Sequence, residues 1–300
     1  MTPHRARVSF GVKTSQMGLS YEDILGTWRR ADGIEVFEHA WLWDHMVPLR
    51  GDGRAAALEA WTLLAALAAQ TSRLRLGVVV TSNRLRLPTL LAKMAATVDI
   101  VAAGRLVFGI GAGGSRVLGD NTAVREFEAY GVPLVSPGEA LRDLDQSLRV
   151  IRRMWTETEP FDFDGPSIQL LGALCEPKPV QRPHPPIMVG AWGERAMRVV
   201  AEHADIWNCP WASVEGFAQR NAYLDRCCEA IGRQASEIVR SVQLIIRADD
   251  PGEPAASRSL LTGLIDAGAT HFVLAPVLGG RPLDWLAEVL VEPLLASANA

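Results

Sequence analysis

A short β-rich apolar run followed by a helical apolar pattern, repeated eight times from one end to the other, constrains this chain more than any other feature. The runs fall at 8–12, 36–42, 74–80, 106–110, 186–189, 205–208, 242–246 and 271–274. Helical patterns occupy 21–31 behind a Ser20 cap, 59–70, 89–102, 142–155, 194–202, 214–231, 255–267 and 283–295. A helix after every strand returns the chain to the same end of the sheet, so successive strands run parallel. Eight such units close on themselves, which predicts a (β/α)8 TIM barrel. At 300 residues and 48% hydrophobic content the chain can bury one large core, so a single domain over 1–300 is expected. The longest interruption, 111–185, lies between the fourth and fifth strands and reads as an insertion within that domain. Inside it, 161–170 predicts a hairpin around Asp164-Gly165, and 177–186 is a proline-rich approach to the fifth strand. Residues 249–256 are expected to form a loop.

Charge and cysteine usage remove several classes of function. The formal net charge is −4, and the basic residues cluster no further than pairs such as Arg29-Arg30 and Arg152-Arg153, which argues against nucleic acid as a partner. Cys175, Cys209, Cys227 and Cys228 contain no CxxC pair, and the six histidines lie singly, so neither a disulfide scaffold nor a metal site is expected. The N-terminal segment carries basic residues with no apolar run behind them, and no stretch approaches the length of a membrane span. A cytoplasmic protein with no membrane partner is the expectation.

In a parallel barrel the chemistry gathers where the strands end, because the loops there vary while the packed barrel stays fixed. Those ends carry Trp43-Asp44-His45, Thr81-Ser82-Asn83, the glycine-rich 109–114 and 190–193, and Asn208-Cys209. Two glycine-rich loops on neighbouring strands would let backbone amides approach an anionic group such as a phosphate, although glycines also close tight βα turns. His45 could move a proton during turnover, or could simply satisfy a loop carbonyl. Trp192 interrupts a glycine loop, where it could stack on a planar ligand or act as a lid. His39, His184 and His203 read as structural or surface residues.

With those residues identified, the chain resembles the luciferase-like monooxygenase superfamily, and within it the oxidoreductases that use the deazaflavin coenzyme F420. The stretches that carry the resemblance are 37–45 (FEHAWLWDH), 59–77 (EAWTLLAALAAQTSRLRLG), 90–99 (LLAKMAATVD), 104–113 (GRLVFGIGAG) and 185–190 (PPIMVG). The resemblance implies a cofactor in the barrel mouth, its ring against the third strand and its phosphate on backbone amides after the fourth. It places a cis non-proline peptide near Val79-Val80, with Thr81 and Asn83 in the same cofactor-binding stretch. His45 then matches the histidine that faces the ring, Gly111, Ala112 and Gly113 the phosphate loop, and Gly190, Ala191 and Trp192 the contacts of the fifth strand. The family is commonly dimeric, which makes a homodimer the expectation. The chain departs from the deazaflavin-dependent sugar-phosphate dehydrogenases at Gly114, where they carry a glutamate, and at Leu49, where they carry a tryptophan. It also has no lysine in 209–213, which points away from a sugar phosphate and toward a more apolar acceptor.

The activity this implies is hydride transfer between reduced deazaflavin and a small organic molecule, reducing a C=C or C=N bond in a biosynthetic intermediate. His45 and Asp44 are the expected catalytic pair, with His45 supplying or relaying the proton and Asp44 or a loop carbonyl orienting it; Trp43, Trp192 and Trp211 are expected to line the substrate pocket. Three alternatives keep the barrel: FMN as the cofactor of a monooxygenase, a flavin-binding barrel without turnover, and a metal-dependent hydrolase. The last would need several carboxylate or histidine ligands at strand ends, where the sequence offers mainly Asp44 and His45.

Overall fold

The structure is a computed structural model that describes residues 7–48, 54–114, 121–210, 213–248 and 252–298. Its strands are β1 (Ser9–Lys13), β2 (Phe37–Leu42), β3 (Arg75–Val78), β4 (Thr81–Ser82), β5 (Leu106–Gly111), β6 (Phe161–Asp164), β7 (Gln169–Ala173), β8 (Ile187–Gly190), β9 (Ile206–Pro210), β10 (Val239–Arg247) and β11 (His271–Val277). Its helices are α1 (Tyr21–Asp32), α2 (Ala60–Ala68), α3 (Pro88–Val101), α4 (Asn121–Ala129), α5 (Pro137–Thr156), α6 (Glu194–His203), α7 (Val214–Ala230), α8 (Glu253–Asp266), α9 (Leu283–Leu286) and α10 (Glu292–Ala298). The main sheet runs β3-β2-β1-β11-β10-β9-β8-β5-β4, every pairing is parallel, and β3 also pairs with β5. That last pairing closes the ring, giving the (β/α)8 TIM barrel expected from the alternation.

Strand alternation sorts the core into two shells. Phe10, Phe37, Phe108 and Trp207 point outward and pack beneath the helices with Trp28, Trp61 and Trp155, whereas Trp41, Val79, Val107, Met188, Ile206 and Val273 fill the barrel interior. The close-packed seam is between β3 and β5. A Cβ on Gly77 would lie 2.3 Å from the Val107 carbonyl oxygen, and one on Gly109 would lie 2.1 Å from that of Val78. Only glycine lets those backbones approach, so these two positions are set by ring closure and not by turn geometry.

Helix boundaries follow their caps. Ser20 accepts from Asp23 N at 3.1 Å while its own N–H donates to Asp23 Oδ2 at 3.2 Å, and Ser136 pairs reciprocally with Glu139 at the start of α5. The helix expected from 142 therefore begins at Pro137. Similarly, α8 begins at Glu253, so the tail of the loop expected over 249–256 is helical. The helical pattern at 283–295 is divided by a π turn at Ala287–Val291 just before Pro293, which has no N–H to continue the regular ladder.

The insertion supplies one barrel helix and two additions to it. Helix α5 packs between α3 and α6, and the Trp155 indole on it donates to Ala92 O at 2.9 Å. The additions are α4 and the expected hairpin, an antiparallel pair of β6 and β7 closed by Gly165 N donating to Ile168 O. The proline-rich return to β8 contains cis Glu176-Pro177 and cis Arg182-Pro183, and it is held by the fully buried Asp99. Its carboxylate accepts from Val180 N at 2.8 Å, Gln181 N at 3.0 Å and Gln181 Nε2 at 2.8 Å. Asp99→Ala removes the carboxylate that three part-buried donors share and is expected to cost on the order of 1–3 kcal/mol, read as a lower urea midpoint.

Candidate active site

The mouth of the barrel is built on an ion triad. Asp44, 4% exposed at the end of β2, accepts two bonds from Arg86, at 2.8 and 2.9 Å, and a third from Ser82 N at 2.8 Å. Arg86 also reaches Glu59, whose carboxylate caps α2 through Trp61 N at 3.1 Å and Thr62 N at 2.7 Å. Burial pushes the Asp44 carboxyl up from its ordinary range, against the pull of Arg86. Burial opposes the Arg86 charge as well, but the two carboxylates outweigh it and raise that group. The triad ties β2, β4 and α2 together, so Asp44 shapes the mouth and is fully occupied in doing so.

His45 consequently takes a different partner from the one expected. Its Nδ1 lies 3.2 Å from Oε2 of Glu126, a 3% exposed residue of α4, while Glu126 Oε1 accepts from Met46 N. The expectation that Asp44 or a loop carbonyl orients His45 is corrected: a carboxylate from the insertion does so. On its other side His45 meets the Trp43 indole edge-on, with centroids 5.9 Å apart. Trp43 is fixed in turn by Gln16, which accepts from Trp43 N at 2.9 Å and donates to Trp43 O at 2.6 Å. No pattern in the sequence marks Glu126, which lies 81 residues from His45.

The expected cis peptide is present at Val79-Val80, where the extended run of 74–80 breaks between β3 and β4. Val80 projects toward Gly111 and Gly190, where a Cβ would lie 2.8 and 2.9 Å from its methyl carbon. Those two glycines make room for the kinked strand, which is a packing role beside the ligand-binding one expected of them. Thr81 is fully buried and accepts from the Trp61 indole at 3.2 Å, so its hydroxyl faces α2. Asn83 N donates to Gly111 O at 3.1 Å.

Three buried polar atoms around these strand ends, Trp43 Nε1, Ser82 Oγ and Asn83 Oδ1, have no hydrogen-bond partner among the described residues. Buried polar atoms are ordinarily satisfied, so an indole donor, a hydroxyl that can donate or accept and an amide acceptor left unpaired here suit a flat heteroaromatic ring with polar edges. Ser82 Oγ lies against Gly113, which holds φ +82 and leaves no room for a side chain. A cavity of about 390 Å³ adjoins Ala112 and is bounded by Gly193, Glu194, Arg195 and Ala196 at the start of α6, with Pro137, Ala140 and Leu141 of α5. Gly193 caps α6 without a side-chain bond, leaving helix N–H groups and Arg195 beside the loop where a phosphate was expected. Ala191 is buried with its N–H on Asn208 O, and Trp192 leans outward over the Arg220 guanidinium, 5.3 Å from the ring. Trp211 lies outside the described residues.

Below the mouth the barrel is unexpectedly polar. His39 and His271 stack face to face with centroids 3.9 Å apart, and Trp41 Nε1 donates to His39 Nδ1 at 2.6 Å. His271 Nδ1 meets Ser241 Oγ at 2.9 Å, and that hydroxyl accepts from Asn208 Nδ2 at 3.1 Å. Burial holds His271 down to about 3 and His39 well below the usual histidine range, so both rings are neutral. The sequence reading of His39 as structural matches this setting; the paired ring on β11 has no signature in the sequence.

Residues 7–274 match the luciferase-like monooxygenase family, and the chain belongs to it. It is 33% identical over 211 residues to the phthiodiolone/phenolphthiodiolone dimycocerosates ketoreductase of Mycobacterium tuberculosis strain H37Rv, a match covering 69% of this chain and 49% of that one. The chain thus spans about half the length of the curated relatives it matches. In fold it is similar to an F420-dependent secondary alcohol dehydrogenase in complex with an F420-acetone adduct (TM-score 0.81, 17% identity, 96% of this chain and 99% of the other). It is similar also to a riboflavin lyase with modified FMN and riboflavin (TM-score 0.79, 16% identity, 98% and 92%). Among the described residues no helix is long and apolar enough to cross a membrane.

The triad is open to direct test. Arg86→Met strands the buried Asp44 charge and is expected to cost about 3–5 kcal/mol in urea denaturation at neutral pH. Adding Asp44→Asn to that variant should recover part of the loss.

Proposed function

We propose that this chain is an F420-dependent oxidoreductase that transfers hydride between the deazaflavin and a small organic molecule. The observation that carries the reading is the set of open polar atoms, Trp43 Nε1, Ser82 Oγ and Asn83 Oδ1, in the same mouth as the Glu126-held imidazole of His45. When bound, the deazaflavin supplies a two-electron hydride and no oxygen chemistry. The protein's share is to orient, to exclude water and to handle the proton.

Val79, Val80, Ser82 and Asn83 would flank the ring, and Ala112, Gly113, the first amides of α6 and Arg195 would hold the phosphate. His45 is suited to the proton. With Nδ1 donating to Glu126, the neutral ring offers Nε2 as an acceptor and the protonated ring offers it as a donor, so one residue serves either direction. Names among the relatives and structural neighbours, a ketoreductase and a secondary alcohol dehydrogenase, favour a C=O acceptor over the C=C or C=N bond that the sequence suggested. The FMN alternative retains support from the riboflavin lyase neighbour, which carries modified FMN in the same fold.

Fluorescence titration with F420 and FMN side by side tests the cofactor: F420 should bind at least tenfold tighter, and preference for FMN would replace the reading with oxygen-using chemistry. His45→Ala should bind the cofactor within about threefold of the parent while losing 10²- to 10⁴-fold, roughly, in turnover. Turnover of any acceptor by the parent protein would exclude a purely binding role.

A further inference from the structure

The cavity that adjoins Ala112 does not end at the expected phosphate position. It shares Leu141 and Arg195 with a larger one of about 640 Å³, which continues along the outside of the barrel between α5 and α6 to the β6–β7 hairpin. Helical spacing builds its walls. Gly138, Arg142, Asp145 and Arg149 recur along one face of α5, and Arg195, Arg198 and Glu202 along one face of α6, while residues 163–166 of the hairpin line the far end.

Charge in this groove is graded. At the end nearest the phosphate position, a Cβ on Gly138 would lie 3.7 Å from Arg142 Nη1 and 3.9 Å from Arg195 Nη1, so guanidiniums from two facing helices converge over a residue that has no side chain. Arg198 follows Arg195 by three residues on the same face of α6. All three are exposed, and among the described residues none of their guanidiniums donates a hydrogen bond or forms an ion pair. Arg142 draws down the Glu139 carboxyl, which is itself hydrogen-bonded to Ser136. Toward the hairpin the balance reverses. Arg149 is paired with Asp145 at 3.2 Å and with Glu202 at 3.0 Å, Asp145 also meets His203 Nε2 at 2.7 Å, and Asp164 adds a further carboxylate to the lining.

Resting on the F420 reading above, we propose that this groove binds the carboxylate chain of the cofactor. Coenzyme F420 continues beyond its phosphate into a lactyl group and γ-linked glutamates, whereas FMN ends at its phosphate. A chain of anions attached to that phosphate enters the groove past Arg195 and meets Arg142 and Arg198 within the next turn of each helix. It is drawn no further, because the groove beyond them is acidic or already paired. From Gly138 to Asp145, α5 rises roughly 10 Å. A γ-linked unit spans about 6 Å, having two more chain bonds than an α-linked one of ~3.5 Å, so roughly two units fill the basic stretch. The groove lies outside the barrel, so the chain touches neither the ring nor His45; it acts on affinity and leaves the chemistry alone.

The experiment is a fluorescence titration of the whole protein with the deazaflavin phosphate carrying no glutamate, two glutamates or five. At about 50 mM salt the two-glutamate form should bind roughly three- to thirtyfold tighter than the glutamate-free form, the gain that about two exposed ion pairs supply, and the five-glutamate form at most about twofold tighter again. At about 500 mM salt the advantage should shrink below about twofold. Arg142→Gln combined with Arg198→Gln should abolish it at low salt, with affinity for the glutamate-free form within about twofold of the parent and the urea midpoint unchanged, since both side chains are exposed. Arg226→Gln combined with Arg258→Gln removes the same net charge from exposed sites on α7 and α8 and should keep the advantage in full. Equal affinity for the three forms, an advantage that survives in the Arg142 and Arg198 double variant, or an equal loss in the control pair would each overturn the inference while leaving F420 binding intact. Binding of none of the three forms would instead remove the reading on which it rests.

Discussion

The closed ring depends on the contact between β3 and β5, where no side chain can intervene. Gly77 and Gly109 face carbonyl oxygens at distances that exclude a Cβ, so two backbones lie directly against each other and the eighth seam of the barrel forms. Ring closure then directs every strand end to one rim. It also makes β3 the strand that must kink: its continuation, β4, re-pairs with β5 only after the Val79-Val80 step, and Val80 is received by Gly111 and Gly190 across the rim. The glycines that look like a phosphate signature in sequence are therefore partly an accommodation of the strand next to them. Ala112 and the start of α6 line the adjoining cavity instead.

Charge is distributed through the mouth according to what each group can afford to lose. Asp44 is committed to Arg86, which leaves it no role with His45; Glu126 is the carboxylate that engages the imidazole. Lys13 Nζ lies over the Trp43 indole, and the His39 and His271 rings are neutral. One rim thus contains a spent ion network, a partnered imidazole and a cation next to an aromatic face. Such a separation lets neighbouring titratable groups hold different protonation states at one pH.

Most of the fold was legible because periodicity is a local property. Each barrel strand lay within a few residues of its expected place, and the insertion and its hairpin were visible as an excess of length and an Asp-Gly turn. The early start of α5 was missed although Ser136-Pro137-Gly138-Glu139 spells a capping box, because the apolar period begins only later. The site was legible to the extent that strand ends can be read: Trp43, His45, Ser82 and Asn83 lie at the rim. Partners were not. Arg86, Glu126 and the His39–His271 stack are pairings across 27 to 232 residues of sequence, fixed by barrel geometry alone, and nothing local distinguishes them from surface or core residues. Trp192, which its loop suggested for the mouth, has its ring against Gly216 and Arg220 of α7, contacts that the sequence does not signal.

The pairing of His45 with Glu126 joins two parts of the chain. The imidazole belongs to the barrel, which ring closure holds nearly invariant, while the carboxylate arrives on a helix of the insertion, whose length and course the barrel does not dictate. The surroundings of this imidazole can therefore be altered by exchanging a surface segment, with the barrel untouched. A fold arranged in this way can diversify its acid–base chemistry by grafting, one insertion at a time, without having to rebuild its core.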